Sequence, residues 1–313
     1  MLSSSSHPRF VFLGTGTSSG VPAIGCSCGV CTSADPRDNR LRTAGAVTFV
    51  DAGGHDRTVL IDTGPDLRQQ CLRHGITRLD GIVYTHNHVD HTFGLDEVRR
   101  FNAVQRAPID LYAEPHTMEA LERVYAHIFD RKSNANDSFV ASLIAHRVGA
   151  REVEAGTPVP IHGALFTPIR LLHGRLPVLG WRVEMPARRG GLFGGIEGLP
   201  APSPADDSPP RAAAVGFDPF PLAYCTDVSA VPPESWGRLR GLKTLVLDAL
   251  RHRKHPTHFT LGQAVSVAHE VGAERTYFVH MSHDLAHEET QAGLPEGMFL
   301  AWDGLVLGGG GGQ

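Results

Sequence analysis

The sequence predicts an α/β protein in which two β-sheets are covered by helices. Apolar, β-rich runs dominate the amino-terminal half, and strands then alternate with helical patterns, the order expected of sheets packed between helix layers. Several of these runs also stop abruptly at a histidine or an aspartate, so chemistry-bearing residues recur at strand ends. With 313 residues, 41% of them hydrophobic, the chain can bury a large core, and one domain over residues 9–307 is expected.

Residues 9–13 read as a short strand entering Gly14-Thr15-Gly16-Thr17-Ser18-Ser19-Gly20. The spacing fits neither a dinucleotide fingerprint nor a Walker loop. A turn that lets the backbone pass close to another element is expected instead. Cys26, Cys28 and Cys31 follow at C-x-C-x-x-C spacing, flanked by glycines. Thiolates so spaced can converge on one tetrahedral zinc, but a structural site then lacks its fourth ligand; unconnected buried cysteines are the plain alternative. Five cysteines, an odd number, fit metal binding better than a disulfide framework, and Cys71 and Cys225 read as core residues.

Residues 44–51 and 58–61 form a predicted hairpin. Asp62, just beyond it, is read as a cap for a helix over 65–74, as a carboxylate that orients a metal ligand, or as both. The apolar run 79–84 then delivers Thr85-His86-Asn87-His88-Val89-Asp90-His91. Three imidazoles and a carboxylate this close together are too dense for a hydrophobic core, and a solvated polar loop is the alternative. Given 18 histidines in the chain, these offsets would arise by chance in roughly 0.3% of such sequences, so a metal loop is expected.

Downstream, a short helix is expected over 93–101, a strand over 109–113 and a single proline-opened helix over 115–129, with His116 and His127 on its surface. Residues 139–184 are strand-like, one strand ending at His173 and another beginning at Val178. The Gly-, Pro-, Ala- and Ser-rich stretch 187–218 predicts a flexible surface insertion, whose mixed charges make a poor nucleic-acid arm. Two further apolar strands, 221–227 and 244–248, end in Asp227 and Asp248. The basic loop after them carries Arg251, Arg253 and Lys254, read either as a grip for a second phosphate or as a solvated loop; His252 and His255 stay unassigned. A helix over 261–271, stopped by Gly272, precedes a strand ending in His280 and His283. A hairpin over 299–307, turned at Asp303-Gly304, and a disordered tail over 308–313 complete the reading.

Net charge is -4 and the isoelectric point about 6.5, so bulk electrostatics advertise neither a polyanion nor an anionic membrane as partner. No run approaches the ~20 apolar residues that cross a bilayer. The amino terminus has neither a basic start nor an apolar segment, and a cytoplasmic, reducing location is expected.

Taken in order, Asp62, His86-x-His88-x-Asp90-His91, His173, Asp227 and His280 resemble the metallo-β-lactamase superfamily over almost the whole chain, from Phe10 to about Leu307. The resemblance implies an αββα four-layer sandwich. It also implies two catalytic metals, one taking His86, His88 and His173, the other Asp90, His91 and His280, with Asp227 bridging. The aspartate at 227 and the His258-Phe259-Thr260 triplet are similar to the phosphodiesterase and tRNA 3′-end nuclease branch, in which the histidine of that triplet assists catalysis. The cysteine knuckle with His280-Met281-Ser282-His283 resembles the phosphodiesterases of phosphonate breakdown, which open 5-phosphoribosyl 1,2-cyclic phosphate. By that likeness Cys26, Cys28, Cys31 and His283 hold a structural zinc. Pyrroloquinoline-quinone biosynthesis B proteins share a similar knuckle but usually lack the intact histidine cluster.

The resemblance therefore implies a metal-dependent phosphodiesterase with His258, Asp90 and Asp62 as catalytic candidates: His258 as proton donor, Asp90 as a metal ligand, Asp62 orienting a ligand histidine. Mixed nitrogen and oxygen donors suit Zn²⁺, Mn²⁺ or Fe²⁺ alike. A small or cyclic phosphodiester is the expected substrate. An RNA-processing nuclease and a non-hydrolytic role in quinone-cofactor biosynthesis are the alternatives. No membrane partner is expected, and a homodimer is left open.

Overall fold

Strand β1 (Arg9–Gly14) places Phe10 and Phe12 on one side of its sheet and Val11 and Leu13 on the other, all fully buried. A strand apolar on both faces needs cover on both. The computed structural model, which describes residues 7–134, 138–185 and 214–309, shows what supplies it.

After β1 come the antiparallel pair β2 (Ala44–Val50) and β3 (Asp56–Ile61), then α1 (Leu67–His74), which Gly75 ends in the left-handed conformation at φ 61°. The chain continues through β4 (Gly81–Val83), α2 (Val89–Thr92), α3 (Arg99–Gln105), β5 (Ile109–Ala113), α4 (Pro115–Val124), α5 (Ala126–Phe129), β6 (Leu143–Arg147) and α6 (Ala150–Val153). Next are β7 (Val159–Ile161), β8 (Ala164–His173), β9 (Leu176–Glu184), β10 (Ala214–Val215), β11 (Leu222–Cys225) and β12 (Thr244–Asp248). It closes with α7 (Leu261–Val271), β13 (Arg275–Val279), α8 (His287–Ala292), β14 (Met298–Leu300) and β15 (Val306–Gly308).

One sheet of eight strands runs β10-β15-β1-β2-β3-β4-β5-β6, and one of seven runs β14-β13-β12-β11-β9-β8-β7. Between them lie Phe10, Phe12, Val47, Val59 and Ile61 from the first, packed with Phe166, Trp181, Val183, Tyr224, Val246 and Tyr277 from the second. The alternate residues face outward: Val11, Leu13 and Leu60 meet Leu67, Met118 and Leu121 of α1 and α4, while Leu245, Leu247 and Phe278 meet Leu261, Ala264 and Ala268 of α7. The period of two thus divides one sequence among three apolar layers, and the result is the expected αββα sandwich. No helix among the described residues is long and apolar enough to cross a membrane.

Three local expectations need correction, and two more fall largely outside the described residues. The helix over 115–129 is two helices, broken at Tyr125 (φ -108°, ψ 40°); this residue buries its ring and donates its hydroxyl to Thr92 O at 3.0 Å, an anchor stronger than helical continuation. The region 93–101 forms a 3₁₀ turn, Leu95–Val98, before α3 begins at Arg99. Residues 299–307 are not a hairpin, because β14 pairs with β13 in the seven-stranded sheet whereas β15 pairs with β1 in the other. Asp303 fixes that crossing: its carboxylate accepts Thr15 Oγ1 at 2.9 Å and the Leu41 amide at 2.8 Å. Of the proposed insertion, residues 187–213 lie outside the described residues, and its end is a structured edge, with β10 paired parallel to β15. Residues 310–313 of the expected tail also lie outside the described residues, whereas Gly308 belongs to β15.

Strands β3 and β4 run parallel, as do β11, β12 and β13, and β8 runs with them because β9 is antiparallel to both β8 and β11. Their carboxyl ends therefore open at one rim of each sheet, where the functional side chains gather.

Candidate metal centre

The histidine cluster is a strand end followed by a single turn of helix. Beyond β4 the seven-stranded sheet grips the chain twice: Trp181 Nε1 donates to Tyr84 O at 3.1 Å and the Leu179 amide to Thr85 O at 2.9 Å. His88 occupies the N-cap position of α2, and Asp90 and His91 lie in its only turn, so the donors fan out from a short rigid segment.

Asp62 resolves the choice between cap and orienting group. Asp66 holds the N-cap position of α1. Asp62 is fully buried and accepts the Thr85 amide, the Thr85 hydroxyl and His91 Nδ1, each at 2.8 Å. With Nδ1 engaged, His91 presents Nε2 as its free nitrogen. His173 is held in the same way, its Nδ1 donating to Thr257 O at 2.7 Å, and His86 Nδ1 lies 3.0 Å from Thr85 Oγ1.

Asp227 stands at the middle. One of its oxygens lies 3.2 Å from His91 Nε2 and 3.4 Å from His280 Nε2. The other lies 3.8 Å from His86 Nε2 and 4.0 Å from His173 Nε2. Asp90 faces the first group, at 3.4 Å from His91 Nε2 and 3.8 Å from His280 Nε2. Two donor sets result, His86-His88-His173-Asp227 and Asp90-His91-Asp227-His280, each with ligand atoms within 4.8 Å of one another. The residues fit divalent ions on a further ground: the buried Nε2 atoms of His86, His91 and His280 have no hydrogen-bond partner, a costly state unless a cation takes the lone pair. Three positive-φ residues, Asp62 (65°), Asp227 (55°) and His280 (59°), sit at the ends of β3, β11 and β13, backbone that non-glycine residues adopt at a cost.

Burial opposes charge on His91, yet the carboxylates of Asp227 and Asp62 outweigh it and hold its pKa well above the ordinary value. At His86 burial, with the charge of His91 adding to it, outweighs Asp227 and holds the pKa well below the ordinary value. Burial also works against ionised Asp227, but His280 and His91 hold its pKa well below the carboxylate range. The centre is thus an anionic carboxylate core ringed by imidazoles.

His258 lines the same cavity. Its Nδ1 lies 2.9 Å from Asp248 Oδ2, and its ring stacks on His280 with centroids 4.7 Å apart. The cavity, about 430 Å³, is lined by donor residues and His258, and besides them by Ser18, Asn87 and Val89.

The cysteine knuckle closes around the end of β13. His283 Nδ1 lies 3.2, 3.6 and 3.3 Å from the sulfurs of Cys26, Cys28 and Cys31. A tetrahedron with Zn–S of about 2.3 Å and Zn–N of about 2.0–2.1 Å has an S···N edge of roughly 3.5 Å, so the four atoms fit a zinc. The Cys31 amide, first among several hydrogen bonds, holds the Cys28 thiol down to about 7, while burial pushes Cys31 up to about 11. The loop 14–20 is the close-packed turn expected: a Cβ on Gly14 would lie 2.0 Å from Arg42 O. It joins the Met281 backbone through Thr15 O and the Thr17 amide.

Sequence reasoning did not assign Asp248, Thr85, Thr257 or Arg40. Asp248 carried a usable signal, since it ends an apolar strand as Asp227 does. Arg40 carried none: it is fully buried, donates to Ser282 O and Leu285 O, and pairs with Asp38 at 3.0 Å. Arg251, Arg253 and Lys254 of the basic loop do not line the cavity; Arg251 donates to Arg253 O and Lys254 O, and Arg253 pairs with Asp284. His127 is partly buried and lies 3.3 Å from Asp96.

Comparison with known proteins follows this geometry. The model of the beta-lactamase superfamily domain matches residues 57–206 and 214–281. A crystal structure described as a new diphosphatase from the PhnP family shares 39% identity, covers 96% of each chain and superposes with a TM-score of 0.75. Zinc-bound PqqB from Methylobacterium extorquens covers 96% of this chain and 99% of its own at 18% identity and TM-score 0.66, a likeness of fold. An octanoyltransferase of Porphyromonas gingivalis is 30% identical over 299 residues, 95% of this chain and 51% of that protein; the chain spans about half the length of the curated relatives it matches. The match to the superfamily model, together with 39% identity along nearly the full length of a PhnP-family structure, makes this chain a member of the beta-lactamase superfamily and, within it, of the PhnP family.

Proposed function

We propose that the protein is a two-metal hydrolase of small or cyclic phosphodiesters of the 5-phosphoribosyl 1,2-cyclic phosphate kind. The observation that carries this reading is the division of the two Asp227 oxygens between two donor sets, with His258 beside them. His86, His88 and His173, with Asp90, His91 and His280 and Asp227 between them, would hold divalent ions, which would supply Lewis-acid activation of water and charge stabilisation at a phosphate. The protein's own part is orientation and proton transfer. Asp62, Thr85 and Thr257 fix the imidazoles, and Asp248 fixes His258 so that Nε2 is the free nitrogen of a ring lining the cavity. From there His258 protonates the departing oxygen, a contribution typically of about 10²–10⁴-fold.

The name of the PhnP-family relative favours a second reading, hydrolysis of a diphosphate bond. Both break a P–O bond at the same centre. The octanoyltransferase is matched over only 51% of its own length, so its name does not carry an acyl-transfer reading to this chain. Both donor sets are complete, which supports hydrolysis over a non-hydrolytic role in quinone-cofactor biosynthesis, and the net charge of -4 supports a small substrate over RNA.

The test is turnover of bis(p-nitrophenyl) phosphate, 5-phosphoribosyl 1,2-cyclic phosphate, a diphosphate diester and a precursor tRNA, with wild type and His258→Ala assayed after loading with Zn²⁺, Mn²⁺ or Fe²⁺. The proposal expects diester turnover that His258→Ala loses while its metals stay bound. Cleavage confined to the diphosphate or to the tRNA overturns it in favour of that alternative, and no turnover of any substrate by wild type with two bound ions overturns hydrolysis altogether.

A further inference from the structure

His280 holds a left-handed backbone, φ 59°, and supplies a nitrogen to one of the two donor sets. A non-glycine residue stays in that region only where its surroundings over-determine it. The bonds that fix it fall on the next residue. The Met281 amide donates to Thr15 O at 3.0 Å and the Thr17 amide donates to Met281 O at 3.1 Å, so residues 15–17 clasp Met281 at both its donor and its acceptor. On its other edge the same stretch is stitched to the segment before β2. The Gly16 amide donates to Leu41 O at 2.8 Å, and Gly16 O accepts the Thr43 amide at 3.0 Å and the Thr43 hydroxyl at 2.7 Å. Gly16 thus bridges Arg42 on one side and Met281 on the other. A Cβ there would lie 2.7 Å from Arg40 O, so the approach needs glycine.

Asp303 fastens this link. One carboxylate oxygen accepts the Thr15 hydroxyl at 2.9 Å and the other accepts the Leu41 amide at 2.8 Å. The side chain is only 3% exposed, and Arg73 stands 3.6 Å away, beyond hydrogen-bond reach. Burial pushes the carboxyl up to about 7 against the pull of these groups. The turn itself does not call for a buried acid: Gly304 supplies the positive φ, 93°, and its amide donates to Phe12 O at 2.8 Å.

We propose that Asp303 is a positioning residue for His280: by tying Thr15 to Leu41 it holds residues 15–17 against Met281 and so keeps the His280 imidazole aimed at Asp227. The proposal rests on the two-metal reading of the centre and goes beyond it, because the partners of Asp303 are Thr15, Leu41 and Arg73, none of them a metal donor. The effect is one-sided. His86 and His173 have their own ties, at Thr85 and Thr257, and neither passes through the clasp.

The experiment titrates Co²⁺ into the chelated protein, with affinity read by calorimetry and coordination by visible absorption; the band lost in His280→Ala marks the ion on that side. Asp303→Asn removes the carboxylate. Thr15→Val, nearly isosteric, removes the hydroxyl and leaves Thr15 O in place, and it carries the test should Asp303→Asn fail to fold. Thr15→Ser restores the hydroxyl. Val11→Ala, which hollows the core beside the same strand, controls for lost stability. Co²⁺ affinity on the His280 side is expected to fall about 10-fold in Asp303→Asn and Thr15→Val, with that band shifted and the other ion unaffected, while Thr15→Ser behaves as wild type. Val11→Ala is expected to lower the urea midpoint and leave both ions unchanged. Equal weakening of both ions, the same band shift in Val11→Ala, or a folded Thr15→Val that binds as wild type does overturns the positioning role and leaves the two-metal reading standing. A wild type that takes up no pair of ions beyond the knuckle overturns that reading and the proposal with it.

Discussion

Asp248 Oδ2 lies 2.9 Å from Nδ1 of His258 and also accepts the Val228 amide at 3.0 Å, so the carboxylate cannot swing away from the imidazole. That pairing keeps a proton on Nδ1 and orients the ring so that the proton it donates is the one carried on Nε2. Asp248→Asn retains the size of the side chain and removes the charge that organises His258. A fall of about 10²-fold or more in kcat is expected, with metal content unchanged. Steady-state kinetics across pH together with metal analysis check it, and an unaltered kcat would sink the assignment of Asp248.

Asp62 accepts Nδ1 of His91 at 2.8 Å, which leaves Nε2 of that ring for a metal. In Asp62→Asn the orienting acceptor weakens while the ligand remains. Metal affinity is expected to drop about 10–100-fold, the usual effect of removing such a partner. Competition with a metal chelator measures it, and activity should return when excess metal is added.

For the knuckle, Cys28→Ser replaces an exposed sulfur that lies 3.6 Å from His283 Nδ1. One zinc per chain should be lost, and the melting temperature should fall because loop 26–31 is then untied from the strand that ends in His280. Elemental analysis and thermal unfolding report the two effects separately. Zinc stoichiometry equal to wild type would remove the knuckle from the list of metal sites.

Acid stability can be signed from two histidines outside the metal centre. Burial pushes His74 and His287 down to about 4 from the usual 6.5. At His287, Arg37 and Arg40 add to the effect. Between about pH 6.5 and 4 the unfolded chain therefore binds more protons than the folded one, so stability falls as pH falls through that window. Urea midpoints at pH 7, 5.5 and 4.5 should decrease in that order. His287→Gln should flatten the slope, which separates this contribution from acid loss of metal.

Much of this was legible because strand ends and ligand types coincide in the sequence. Asp62, His173, Asp227 and His280 each follow an apolar run, and the order in which they occur carried the superfamily resemblance. The knuckle showed three of its four donors in one short stretch. What stayed hidden depends on contacts between distant segments. Asp303 sends β14 and β15 to different sheets through Thr15 and Leu41, more than 250 residues upstream, and no local pattern separates that crossing from a hairpin turn. Tyr125 fits a helical stripe, yet the helix breaks there while its hydroxyl donates to Thr92 O, a contact no local pattern announces. Arg40 reads as an ordinary surface arginine until its guanidinium is seen capping the carbonyls of Ser282 and Leu285.

Asp62, Asp227 and His280 occupy backbone conformations that glycine would adopt most cheaply. Each departure costs of order 1–3 kcal/mol, and all three fall within one site. Over evolutionary time, then, drift toward a more stable fold and retention of the metal centre pull in opposite directions at these positions. A lineage released from selection for catalysis would gain stability by losing its ligands first, leaving a sturdy scaffold with an erased centre. Two candidate ligands, Asp227 and His280, and the carboxylate that orients a third, Asp62, stand at these positions against that gradient.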